Sequence, residues 1–186
     1  LEDSISGQAL LALAADTQPG PGELAELRRG LRRVLQSHLG AMPLSVRAAA
    51  RFMLEFVYAA HELFDRTRSF VFVSELGETT ALFAREAPSV ALGHAYGGSV
   101  ISVHDNSNYG RVLRAFDERY LRDIDRRTTV AILGDGRTNY HDDSAEVLDR
   151  IRERARALLW FCPESRGTWA TGDSAMARYA PKCTTV

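Results

Sequence analysis

The chain is short of cysteine, of lysine and of long apolar runs, and each shortage excludes something. Its two cysteines, Cys162 and Cys183, stand too far apart for C-x-x-C metal spacing and are too few for a disulfide framework. Two reduced thiols in or near the core are the expectation. No apolar run reaches the roughly 18 residues of a membrane span, and no basic start leads into a signal-like apolar core, so a cytoplasmic protein without membrane contact is expected. Lys+Arg 23 against Asp+Glu 24 leaves a net charge of -1, with nearly all of the bases arginine. Without a basic excess, a dedicated nucleic-acid surface is not expected. Internal repeats and low-complexity tracts are absent too.

What is present suffices for one sizeable domain: 186 residues, 45% of them hydrophobic. The chain is organised around Thr128 to Tyr140. Val130-Ala131-Ile132-Leu133 is a short apolar run with β-branched members, and it ends in Gly134-Asp135-Gly136. The pattern predicts a buried strand that delivers a carboxylate to its C-terminal tip, where open α/β sheets bind ligands.

Ahead of this centre, Ala9 to Ala15 is a run of good helix formers that Ser6 could cap, so an N-terminal helix is predicted. Thr17-Gln18-Pro19-Gly20-Pro21-Gly22 breaks it and is the clearest linker in the chain. Glu23 to Leu39 resumes as an amphipathic helix with Arg28, Arg29, Arg32 and Arg33 off its apolar stripe, and Gly40 stops it. Ser45 to Asp65 has strong helical spacing through Phe52, Met53, Phe56, Val57, Ala60, Leu63 and Phe64. Ser69 to Leu76 is dense in aromatic and β-branched residues and predicts a strand, with Glu78 to Phe83 as a hairpin partner at the edge.

Pro88 opens a brief helix that ends at Gly97-Gly98, and Ser99 to Val103 is extended. After the polar loop His104 to Asn108, a helix over Tyr109 to Leu121 turns Tyr109, Val112, Leu113, Phe116 and Tyr120 inward. Beyond the central strand, a helix over Ser144 to Arg156 carries Asp143 and Glu146 at capping-box spacing. Ala157 to Cys162 is a second buried strand, on which Trp160 is expected in the core. Trp169 lies in a loop of small residues that is expected to be exposed, and a last strand starts at Cys183 to Val186. Strand and helix alternate, the pattern of a parallel sheet covered on both faces.

Three pieces then stand in a familiar order. Ser45-Val46-Arg47 opens one helix, Ser107-Asn108-Tyr109-Gly110-Arg111-Val112-Leu113 opens another, and Gly134-Asp135-Gly136 closes a strand. With Phe70-Val71-Phe72-Val73-Ser74, Arg127-Thr128-Thr129-Val130, Leu159-Trp160-Phe161-Cys162-Pro163 and Tyr179-Ala180-Pro181, the chain from about Leu44 to Cys183 resembles a von Willebrand factor type A (VWA) domain of the CoxE-like family.

The resemblance implies a Rossmann-like, doubly wound, mostly parallel α/β sheet over residues 44–186, with residues 1–43 as an N-terminal helical arm. It also implies a metal-ion-dependent adhesion site holding Mg²⁺ or Mn²⁺, with Ser45 as the last serine of the first metal loop, Ser107 as the second-loop hydroxyl and Asp135 as the third-loop carboxylate. Such a site is not enzymatic. It binds a protein partner that offers an acidic side chain, and by resemblance such proteins work beside a MoxR-type AAA+ ATPase in maturing or remodelling a client. Mg²⁺ suits the role because it takes a few hard oxygens and keeps waters that a visitor can displace.

This chain departs from the family's Asp-x-Ser-x-Ser loop. The aspartate and first serine would fall at Ala41 and Pro43, and no apolar strand precedes them, although one is expected at the sheet centre between Ser69–Leu76 and Thr128–Gly134. Either residues are missing between Pro43 and Leu44, or the site is degraded. A rival reading draws on the loop residues His104, Asp105, Asp135, His141, Asp142 and Asp143: a metal-dependent hydrolase using Asp135, His141 and Asp142 to activate water. No H-x-x-x-H or H-x-E spacing accompanies that set.

Overall fold

The computed structural model describes residues 9–15, 66–86, 90, 94, 100–101 and 106–186. The helices expected over Glu23–Leu39 and Ser45–Asp65, and the brief one after Pro88, lie outside them, apart from isolated helical positions at Val90 and His94. The described elements are β1 (Ala9–Ala15), β2 (Arg66–Phe72), β3 (Leu76–Glu78), α1 (Thr80–Arg85), α2 (Tyr109–Tyr120), β4 (Thr128–Leu133), α3 (Glu146–Arg154), β5 (Ala157–Phe161) and a short α4 (Met176–Tyr179). Among these, no helix is long and apolar enough to cross a membrane.

Five strands form one sheet in the order β3-β2-β1-β4-β5. Its middle is a correction to the sequence reading. Ala9–Ala15, expected as a helix, is the central strand, in register with β2 from Ala9↔Phe72 to Ala15↔Arg66 and with β4 from Leu10↔Leu133 to Ala15↔Thr128. Helix propensity among Ala and Leu amounts to a few tenths of a kcal/mol per residue. A strand bonded along both edges outweighs that preference, because an empty slot would leave two rows of buried backbone groups unpaired, at roughly 1–3 kcal/mol each. The place expected to lack a strand is therefore filled, from a different part of the chain.

The direction of β1 is a second difference. It runs antiparallel to both neighbours, and β2 and β3 are also antiparallel, so β4–β5 is the one parallel pair among the named strands. A mostly parallel sheet is not what these strands form. Antiparallel pairing needs no crossover helix between partners, so a segment from well before β2 in sequence can close the gap directly. The sheet is nevertheless an interior one. Phe70, Val71 and Phe72 on β2, and Val130, Ala131, Ile132 and Leu133 on β4, are buried in succession. Side chains alternate between faces, so both faces are covered over these stretches.

Smaller differences follow from local hydrogen bonding. Glu78–Phe83 does not continue as a hairpin partner, because the hairpin is over by Glu78 and the chain turns into α1. Thr79 N–H donates to Ser69 O at 2.7 Å, and the Thr79 hydroxyl donates to Ser69 Oγ, which turns the chain there. The capping box at α3 does not form: Asp143 Oδ1 accepts from Ala145 N–H at 3.0 Å, while Ser144 takes a left-handed φ of 47°. Helix α2 buries Tyr109, Val112, Leu113 and Phe116 as its spacing predicts. Trp160 is core at 2% exposure. The tail beyond Cys183 begins to pair with β5, with Leu159 opposite Thr185 in parallel register.

Candidate functional site

Strand β4 ends at Leu133, and the chain is pinned before it turns. Gly134 N–H donates to Phe161 O at 3.1 Å, and the Trp160 indole donates to Gly134 O at 2.8 Å. Gly136 follows with φ +69°, and a Cβ there would lie 2.6 Å from Met176 Sδ, so only glycine fits the turn. Asp135 is thus held between two fixed glycines at the tip of a buried strand.

One of its carboxylate oxygens is committed. Asp135 Oδ1 accepts from Arg137 N–H at 2.9 Å and from the Tyr109 hydroxyl at 3.2 Å, and the same hydroxyl accepts from Gly136 N–H at 3.2 Å. Tyr109 opens α2, is 1% exposed, and stacks with Trp160 at 5.8 Å, which in turn stacks on Tyr179 at 4.9 Å. Burial and the neighbouring Asp135 charge push the Tyr109 phenol well above its ordinary value, so it stays a proton donor. Asp135 Oδ2 has no hydrogen-bond partner among the described residues. Burial raises the Asp135 carboxyl, and Glu164 adds repulsion, against the pull of Arg137 and Tyr109. The carboxylate is thus largely buried, with one oxygen held twice and the other without a partner among the described residues.

Ser107 comes to the same end of the sheet. Its hydroxyl donates to Arg137 O at 3.0 Å and accepts from Asn139 Nδ2 at 2.7 Å, while its own carbonyl accepts from the same Asn139 amide at 3.0 Å. The Arg137 backbone therefore joins the two residues, its N–H donating to Asp135 and its C=O accepting from the Ser107 hydroxyl. Ser107 is buried, and its oxygen retains one lone pair for a further contact. Ser45 lies outside the described residues, as do His104 and Asp105. Asp135 and Ser107 supply one carboxylate and one hydroxyl, the kinds of oxygen donor that a hard cation takes. β1 bears on the rest of the set: its C-terminal end, Ala15, faces Thr128, at the opposite end of β4 from Asp135. A loop leaving that end starts away from the site.

Among the described residues, the hydrolase set does not gather into a metal-holding group. Asp142 pairs with Arg114 and accepts from the Ser144 hydroxyl, contacts that hold its carboxyl low, and His141 is exposed. Asp143 is engaged by Arg178 and, through its carbonyl, by the Tyr179 hydroxyl at 2.8 Å. Among the described residues, no group of three or more His, Cys, Asp or Glu could hold a metal ion.

Sequence reasoning missed the residues that make the site rigid. Arg137 donates to Glu164 through Nε and Nη2, at 2.7 and 2.8 Å, and to Asp173 through Nη1 at 2.9 Å. Asp173 Oδ2 also takes Asn139 N–H at 2.8 Å, and its carbonyl takes the Thr138 hydroxyl and N–H. This clamp fastens the loop after Asp135 to the loop before α4. Trp169, expected to be exposed, is half-buried there, with its indole on Glu164 O at 3.2 Å and the Arg166 guanidinium 5.4 Å from its ring.

The described fold is a sheet of mixed direction with helices, with a glycine-flanked aspartate at the tip of β4 and a buried serine just ahead of α2, the helix that precedes that strand. Residues 42–185 match the family described as VWA domain containing CoxE-like protein, and the chain belongs to that family. Over 35 residues it is also 60% identical to DNA repair protein RecO of Stenotrophomonas maltophilia strain K279a, and likewise to that of strain R551-3. Those stretches are 19% of this chain, and the chain spans about 15% of the length of these RecO proteins. No solved structure matches.

Proposed function

We propose that the protein is a non-enzymatic, cytoplasmic interaction module that grips a protein partner at the end of β4, through Asp135 and a bound Mg²⁺ or Mn²⁺. Asp135 and Ser107 would hold the ion with water, and Ser45 would complete the set from the segment outside the described residues. When bound, the ion supplies an electrophilic centre for an acidic side chain of the partner. The chain's own residues do the rest. Tyr109 and Arg137 N–H fix the Asp135 carboxylate, Asn139 fixes Ser107, and the Arg137 clamp keeps the loop from collapsing over the site. By family likeness, the partner is a MoxR-type AAA+ ATPase or the client that it remodels.

The observation that carries this reading is the division of labour within one carboxylate: Oδ1 is held twice while Oδ2 meets no described partner. The test is thermal stability in rising Mg²⁺, since a ligand of the folded state raises the transition by mass action. Wild type should shift upward, and Asp135→Ala should not. Turnover of a generic phosphoester that disappears in Asp135→Ala would instead support the hydrolase.

A further inference from the structure

Tyr140 is 84% exposed, and its side chain makes no ring contact or hydrogen bond among the described residues. Its backbone is nevertheless strained. Asn139 has φ 50°, Tyr140 φ 60° and Ser144 φ 47°, three left-handed non-glycine residues within six positions. For Asn this is tolerable, but for an aromatic residue it is uncommon and disfavoured. Folding does not require the ring, since nothing described packs on it. A glycine would fit the backbone better.

The loop is also not free to relax. Asn139 is anchored through its N–H on Asp173 and its amide on Ser107, His141 N–H donates to Thr138 O at 3.1 Å, and the Arg114 guanidinium holds Asp142 and Ser144. Gly110 lets this loop settle onto α2 with backbone against backbone. The result is a large, amphipathic side chain in solvent on an anchored backbone, one residue from Asn139, whose amide holds the proposed ligand Ser107. Strain kept at an exposed aromatic, on a loop fixed from both sides, is explained by what the ring meets rather than by what it stabilises. Tyr side chains are efficient anchors because they bring a large contact area with only two χ angles to fix when they are covered.

We propose that Tyr140 is the apolar anchor of the partner-binding surface. The partner is a protein segment in which an apolar side chain, seated against the Tyr140 ring, stands beside the acidic side chain drawn to the cation on Asp135. This rests on the function proposed above and adds a second requirement to it: acidity alone does not suffice for binding.

The experiment selects random linear peptides displayed on phage against the full chain in Mg²⁺, then measures the selected peptides on purified variants. Peptides in which Asp or Glu neighbours an apolar residue should emerge. Their affinity should fall about tenfold with Tyr140→Gly and hold with Tyr140→Phe. Tyr140→Gly should at the same time melt higher than wild type, since the left-handed backbone is relieved. A Tyr140→Gly variant that melts lower, or that binds the peptides as well as wild type, would overturn the anchor. Peptides that need Tyr140 but bind equally with chelator and with Asp135→Ala would keep the anchor and remove the metal reading. Peptides that need Mg²⁺ and ignore Tyr140 would do the reverse.

Discussion

A Cβ added to Gly110 would lie 1.9 Å from the carbonyl oxygen of Asp142, so the first turn of α2 and the loop beyond Asp135 meet backbone to backbone. The atoms in the way are main-chain atoms, which cannot swing aside as a side chain can. Gly110→Ala must push the loop off the helix, displacing the Arg114–Asp142 contact with it. Overpacking of this kind costs about 1–3 kcal/mol or more. Urea denaturation should show a lower midpoint with an unchanged slope.

Arg137 is the cationic partner of two carboxylates, each of which has one further neutral donor, Thr168 on Glu164 and Asn139 N–H on Asp173. Its side chain and that of Glu164 are each 26% exposed, and that of Asp173 is 16% exposed. Arg137→Ala should destabilise the fold by about 2–3 kcal/mol, the scale of lost charge-assisted hydrogen bonds after allowance for partial screening. Arg137→Lys should recover only part of this, because one ammonium cannot reproduce the two-oxygen grip on Glu164 and reach Asp173 as well. Chemical denaturation of the three proteins side by side checks the order.

The same clamp sets an acid limit. Burial works to raise the Asp173 carboxyl, but Arg137 and the Asn139 N–H outweigh it and hold the group below its ordinary value. A carboxyl lowered in the folded state contributes stability that is present above the unfolded value, about 3.9, and is lost as pH falls through the lower folded value. Wild type should therefore lose stability steeply below about pH 4, and Asp173→Asn should fall less steeply over that window. Melting temperatures from neutral pH to pH 2 measure the two slopes.

Much of the fold was legible because the cues were local. The inward stripe of α2, the buried run of β4 and the core placing of Trp160 each follow from spacing within a dozen residues. Ala9–Ala15 was not legible, because nothing in an alanine–leucine run says that it will pair with partners more than fifty residues away in sequence. Asp135 and its flanking glycines could be read from their place after a strand. Arg137, Glu164 and Asp173 could not, because the clamp joins residues 27 and 36 positions apart with no motif to announce it.

The two thiols should differ in reach but share low reactivity. Cys183 is 7% exposed, its thiol is pushed up to about 12 by burial, and Sγ donates to Tyr179 O. Cys162 is half-buried, and burial raises its thiol as well. Neither is a thiolate at neutral pH, so both should react slowly with a disulfide reagent, Cys162 first and Cys183 only as the protein opens. Timed labelling with and without urea distinguishes them.

Burial and Glu164 raise the Asp135 carboxyl, so its negative charge is a burden to the metal-free fold. Asp135→Asn keeps the acceptor used by Tyr109 and Arg137 N–H and removes the charge. In chelator at neutral pH this variant should melt above wild type, a stability gain at the expense of the site. A lower melting temperature would mean that the carboxylate serves the fold instead.

The most direct test of the central claim is calorimetric titration of the metal-free protein with Mn²⁺. One site per chain is expected for wild type, weaker binding for Ser107→Ala, and no binding for Asp135→Ala or Asp135→Asn, with all four proteins folded in chelator. Absence of Mn²⁺ binding by wild type, or binding that Asp135→Ala leaves unchanged, would contradict the account.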